Sequence, residues 1–121
     1  MALTRQYRET VVARIRSDPE FTAALYAEAV SALVEGDKSS ALSILRDLVH
    51  AHISFKTLAE QTRIAEKSLH RMLGATGNPR ADNLARLIHT IEEDLQLNTR
   101  VEARWTKPRR RTAKQAEAVV A

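Results

Sequence analysis

The chain has 121 residues and a formal net charge of +4, with 44% hydrophobic and 28% charged residues. A chain of this length supports one modest hydrophobic core. It contains no Cys, which excludes disulfides, thiolate zinc sites and cysteine nucleophiles.

The apolar residues are mainly Ala, Leu, Ile and Val, with only 4% aromatic residues, and this composition favours a compact all-α domain. The first residues, MALTRQYRET, become charged at once and lack the apolar run of a signal peptide. No later segment approaches the length of an apolar membrane span. We therefore expect a cytoplasmic protein with no membrane partner.

Three helices are predicted in the first part of the chain. An apolar residue recurs every four positions within residues 4–16, which indicates one face of a first helix. Asp18 and the proline after it are typical of the start of a second helix, which Gly36 would end. Asp37 would cap a third helix whose buried face extends to Ile53.

From residue 54 the predicted helices become shorter. Ser54 can cap one short amphipathic helix, and a second short helix is centred near Leu69. The sequence GATGNPRADN is typical of a loop. Asp82 can cap a longer helix with apolar residues as far as Leu95.

Residues 1–97 are thus predicted to form one helical domain, and the pattern changes beyond it. Within residues 98–106, Val101, Ala103 and Trp105 alternate with charged residues, which predicts a short strand that pairs with a twin chain or another protein. Residues 107–121 carry a basic run and are expected to form a tail that is disordered or weakly helical in isolation. The tail suits either a phosphate-binding arm or a solubilising or degradable end.

Residues 55–73 have the spacing of a helix-turn-helix, in which the second helix presents a polar face to the DNA major groove. Arg and Lys can donate to guanine, Glu can accept from cytosine, and Ser can do either. The candidate base-reading residues on that face are Glu66, Lys67, Ser68, His70 and Arg71.

Flanking side chains are candidates for contact with the DNA backbone. Lys56, Arg63 and Arg80 would bring cations to phosphates, and Ser54 with the amides behind it would offer a helix N-terminus. Residues 54–80 hold five basic and two acidic residues, so we expect a locally positive surface there.

The same residues carry a resemblance to a known family. The segment FKTLAEQTRIAEKSLHRMLGATGNPRADNLARLI resembles the Xre-type helix-turn-helix family. Its Gly-Asn-Pro loop, together with the preceding YRETVVARIRSDPEFTAALYAEAVSALVEGDKSSALSILRDLV, is similar to the addiction-module antidote proteins, the HigA-type antitoxins. The resemblance covers roughly residues 4–97.

This resemblance implies a homodimer that binds a palindromic operator in its own promoter and neutralises a small toxin protein. By motif, Glu66, Lys67 and Arg71 stand at the family's base-reading positions. Two residues depart from the family pattern: Arg63 replaces a Gly common in the turn, and Ala65 replaces a capping Ser. A non-Gly residue in that turn has to adopt an unfavourable left-handed conformation.

Two other functions remain open. The chain fits a stand-alone helix-turn-helix regulator without a toxin, and it fits a protein-interaction module that uses the fold as a scaffold. No Ser-His-Asp, HExxH or glycine-rich phosphate motif occurs, so we expect neither enzymatic activity nor a cofactor. His50 and His52 would point about 200° apart on a helix, which disfavours a metal pair.

Overall fold

The computed structural model describes residues 5–108, and in that part of the chain it contains helices but no strand. The helices are α1 (Arg5–Ser17), α2 (Pro19–Val34), α3 (Lys38–Leu48), α4 (Phe55–Thr62), α5 (Glu66–Met72) and α6 (Ala81–Leu95), with a π-helical turn (Val49–Ile53) after α3. The predicted all-α class is therefore confirmed.

Two of the predicted helix starts are formed by aspartate caps. The Phe21 amide donates to Asp18 Oδ1 at 3.1 Å, and the Ser40 amide donates to Asp37 Oδ1 at 3.1 Å. The hydrogen bonds from Ser40 lower the pKa of the Asp37 carboxyl. Gly36 follows α2 with a φ of +87°, a left-handed conformation that suits glycine. These local signals fix where α2 and α3 begin.

The predicted third helix changes its hydrogen bonding before it ends. The Ser54 amide donates to the Val49 carbonyl oxygen at 2.8 Å, five residues back, and this bond closes the π-helical turn. Ser54 then adopts a φ of 81°, which stops the helix. The turn packs against α1, α3, α4 and α6, and Val49 is completely buried. The helices α1 and α3 therefore meet α4 and α6 at this turn.

The buried side chains form one continuous cluster to which all six helices contribute. Its completely buried members larger than alanine are Ile15, Leu48, Val49, Leu58, Leu69, Leu73, Leu87 and Ile91. Burying one such side chain contributes roughly 1.5–3 kcal/mol. A helix as short as α5 is unstable alone in water, so its stability depends on the burial of Leu69 and Leu73.

A polar network joins α2 to α6. The Tyr26 hydroxyl donates to Glu92 Oε2, and Thr99 Oγ1 donates to the same oxygen at 2.8 Å. Burial of the phenol, reinforced by its contact with Glu92, raises the pKa of Tyr26 well above its ordinary value. The network also attaches the start of the C-terminal segment to the helical body.

The predicted cap of α6 is wrong. The residue before the first turn is Arg80, whose extended backbone leads into the helix without a side-chain capping bond. Asp82 lies inside the first turn, where its Oδ1 accepts from the Asn83 amide at 2.9 Å. A carboxylate anywhere in the first turn gains from the helix dipole, so its presence does not identify the capping position.

The strand predicted for residues 98–106 is not formed in the single chain. Residues 97–108 have no regular secondary structure, and Val101 and Trp105 are 87% and 86% exposed. A strand needs hydrogen bonds to a neighbouring strand, and residues 5–108 contain none. Residues 109–121, most of the predicted tail, lie outside the described residues. Within the described range no helix is long and apolar enough to cross a membrane.

Candidate nucleic-acid interface

Residues 63–65 join α4 to α5 in a tight turn without glycine. Arg63 adopts the left-handed conformation expected at this position, with φ 61° and ψ 26°. Its amide donates to the Ala59 carbonyl oxygen at 2.9 Å, and the Ile64 amide donates to Thr62 Oγ1 at 3.3 Å. Arg86 Nη1 in α6 donates to the Thr62 carbonyl oxygen at 3.4 Å. The backbone polar groups at the end of α4 are therefore hydrogen-bonded, partly within the turn and partly by one side chain of α6.

The orientation of α5 is set by its apolar face. Leu69 and Leu73 are completely buried beneath it. Lys67 and Arg71 lie four residues apart, hence about 40° apart around the helix axis, on the side away from these leucines. Both side chains are exposed, and neither makes an ion pair or side-chain hydrogen bond with another described residue. They are thus available to an external partner.

The other candidates on α5 interact within the protein. The His70 ring stacks on the Phe55 ring of α4, with centroids 3.9 Å apart and planes 17° apart. His70 Nε2 also lies 3.8 Å from Glu66 Oε1. Ser68 is half-buried. The structure therefore places all five candidates on α5 but separates the outward pair from Glu66, Ser68 and His70.

Ser54 and Arg80 are less available than their sequence positions suggested. The Ser54 hydroxyl caps α4 by accepting from the Thr57 amide at 3.2 Å. Arg80 lies 3.3 Å from Asp82, although this ion pair is highly exposed. An exposed pair contributes little stability, so a phosphate can replace Asp82 at small cost. Arg80 therefore keeps its potential as a phosphate contact, whereas Ser54 offers only the backbone amides that follow it.

Lys56 and Arg63 occupy the two ends of α4. Both side chains are exposed, and neither makes an ion pair or side-chain hydrogen bond with another described residue. Together with the outward pair of α5 they form the positive part of residues 54–80, whereas the end of α6 carries Glu92, Glu93 and Asp94. Residues 54–80 are thus net positive, whereas the end of α6 is net negative.

Gly77, in the loop after α5, permits a close approach to that helix. A Cβ at this position would lie 2.0 Å from the Met72 carbonyl oxygen and 2.9 Å from the Arg71 carbonyl oxygen. Its amide donates to the Gly74 carbonyl oxygen at 2.9 Å. The loop backbone therefore packs directly against the C-terminal end of α5, which no side chain at residue 77 would allow.

Two basic residues of α3 reach this region and were not predicted to do so. Lys38 Nζ donates to Asn78 Oδ1 at 3.2 Å, and Arg46 Nη1 donates to the Leu73 carbonyl oxygen at 3.5 Å. A cation near the end of α5 is favourable to the helix dipole. Both contacts join residues more than 25 positions apart, so no local spacing in the sequence indicates them.

No protein-family model, curated protein or solved structure matches this chain. The function is therefore inferred from the geometry of α4, α5 and the loop that follows them.

Proposed function

We propose that this chain is a sequence-specific DNA-binding transcriptional regulator in which α4 and α5 form a helix-turn-helix. The proposal is supported mainly by Lys67 and Arg71. Both are exposed on the side of α5 away from its buried leucines, and neither has an acidic ion-pair partner among the described residues. An α-helix with its side chains is about 10–12 Å across and fits a major groove about 12 Å wide.

Within that groove the residues of α5 have different roles. Lys67 and Arg71 donate to the O6 and N7 atoms of guanine. Glu66 accepts from cytosine when it exchanges its contact with His70 for one with a base. His70 and Ser68 mainly hold α5 in place, because one stacks on Phe55 and the other is half-buried.

The surrounding cations position the protein on the duplex without reading sequence. Lys56, Arg63 and Arg80 neutralise backbone phosphates beside the groove, and the amides after Ser54 add donors at the start of α4. These contacts make binding depend on salt concentration, since each neutralised phosphate releases counterions.

The resemblance to antidote proteins extends the proposal to the protein's partners. It suggests a cytoplasmic homodimer on a palindromic operator, acting as an autorepressing antitoxin that binds a small toxin protein. A stand-alone regulator would share the DNA interface and lack the toxin. Co-expression with a small protein encoded beside it separates the two, because only the antitoxin forms a stoichiometric complex with that neighbour.

The DNA proposal is tested by selecting bound sequences from random duplexes at about 0.15 M salt. We expect an inverted repeat whose half-sites are about one helical turn, or a multiple of it, apart. The doubly substituted Lys67→Ala, Arg71→Ala protein serves as the control and should enrich no such repeat. If the unaltered protein enriches nothing either, the proposal is wrong and a role as a protein-interaction module is favoured.

A further inference from the structure

Residues 100–105 leave the helical body from a fixed point and carry two large apolar side chains into solvent. Leu97 is half-buried against the core, and Thr99 is attached to Glu92 of α6 by a 2.8 Å hydrogen bond. Beyond that attachment Val101 and Trp105 are 87% and 86% exposed. Because these two apolar side chains lie outside the core, they can be buried from water only by contact with another molecule.

The segment has two chemically distinct faces. Arg104 Nε lies 2.8 Å from Glu102 Oε1, and side chains two residues apart in an extended chain point to the same side. In a strand, Arg100, Glu102 and Arg104 therefore share a charged face, and Val101, Ala103 and Trp105 share an apolar one. A partner strand has to match both faces at once.

We infer that residues 100–105 pair antiparallel with the same segment of a second copy of this chain, with the two Ala103 residues opposite each other. In this register Glu102 lies opposite Arg104 of the partner subunit, and Val101 lies opposite Trp105 of the partner subunit. The two-fold symmetry repeats both pairs. Opposite charges and aromatic with β-branched side chains are favourable cross-strand neighbours.

The neighbouring registers do not match. Sliding one strand by two residues in one direction places Glu102 opposite its own copy, so two carboxylates meet. Sliding it by two residues in the other direction places Arg104 opposite its own copy, so two guanidinium groups meet. Sliding it by one residue places apolar side chains opposite charged ones. Of these registers only the one with Ala103 opposite its own copy matches both faces, and this self-complementarity argues for a second copy over an unrelated strand.

This inference deepens the proposed function, because it supplies the dimer on which recognition of an inverted repeat rests. A two-stranded ribbon this short is only marginally stable, so we expect dilution to dissociate the dimer in the micromolar range. Trp105 is the only Trp of the chain. Its fluorescence therefore reports directly on the proposed contact.

Association is tested on the full chain without DNA, by sedimentation and by Trp105 emission over a dilution series. The charge pair is tested with Glu102→Arg and Arg104→Glu. Each single variant should raise the dimer dissociation constant about tenfold, because two attractive pairs become repulsive. An equimolar mixture of the two should associate to within about threefold of the unaltered protein, because its heterodimer restores opposite charges.

The register is tested by crosslinking, which the absence of other Cys makes specific. Ala103→Cys should form an intermolecular disulfide at least about tenfold faster than Glu102→Cys under the same mild oxidation, because only the former faces its own copy. Circular dichroism of every variant should match the unaltered protein, since the segment lies outside the core.

Three results would overturn the inference: unchanged association of both charge variants, failure of their mixture to recover, or equal crosslinking rates of the two Cys variants. Each concerns the dimer alone, because no DNA is present. Groove binding by α5 is judged separately, by the binding of each variant to a duplex that carries a single half-site.

Discussion

Lys67 and Arg71 are the residues whose replacement tests base reading most directly. Each Ala substitution should weaken binding to the selected operator by roughly 1–3 kcal/mol and relax the base preference at one position of each half-site. The measurement is a titration at fixed salt against the operator and its single-base variants. Arg8→Ala, in α1, is the matched control because it removes an exposed cation from a helix that does not contact α5. Operator affinity as high as that of the control would contradict the assignment.

Gly77 gives a second prediction at the scale of one residue. Gly77→Ala places a methyl group against backbone atoms of α5, which cannot move away as a flexible side chain would. We expect a loss of roughly 1–3 kcal/mol in the free energy of unfolding, measured by urea denaturation. Gly74→Ala is the matched control, because its Cβ would lie 3.2 Å from the nearest backbone oxygen and needs only a small adjustment. Equal losses in the two variants would show that the close approach at Gly77 has no special effect.

At the scale of one element, α5 lacks a capping side chain. Ala65 precedes its first turn and makes no side-chain hydrogen bond. Ala65→Ser adds an acceptor for a first-turn amide and should stabilise the protein by roughly 0.5–2 kcal/mol. Thermal unfolding measures the gain, with Ala75→Ser in the exposed loop as the control. A variant no more stable than this control would mean that the turn geometry does not admit the cap.

The helix boundaries show how much of the fold is readable from the sequence. Capping at Asp18, Asp37 and Ser54 was predicted correctly because an N-cap depends on hydrogen bonds to amides only a few residues away. Asp82 was misassigned because a first-turn carboxylate is favourable at several positions. The strand at residues 98–106 was not formed because its hydrogen-bond partners have to come from another chain.

The candidate site was predicted in part, for a similar reason. The periodicity of α5 placed Lys67 and Arg71 on its outer side, and the structure agrees. The stacking of His70 on Phe55 and the bond from Lys38 to Asn78 were not predicted. Both depend on how helices pack in three dimensions, which the local spacing of residues does not reveal.

At the scale of the whole molecule, the burial of Tyr26 and its bond to Glu92 should make stability depend on alkaline pH. The raised pKa means that the folded protein keeps the phenol protonated while the unfolded chain ionises it. The stabilising effect is complete below the ordinary tyrosine pKa of about 10 and is lost as the pH rises above it. Between about pH 9 and about pH 11, the unaltered protein should lose more unfolding free energy than Tyr26→Phe. Urea denaturation at the two pH values measures this, and parallel losses would contradict it.

The shortness of α5 limits how much information its contacts can hold. Seven residues span about 10 Å, or about three base pairs at a rise of 3.4 Å each. Two such half-sites define about six base pairs. A sequence of six base pairs recurs by chance about once in every four thousand positions, and a genome offers millions of competing sites. A regulator built on this helix would therefore have to gain its remaining selectivity from the sequence-dependent shape of the DNA around and between the half-sites.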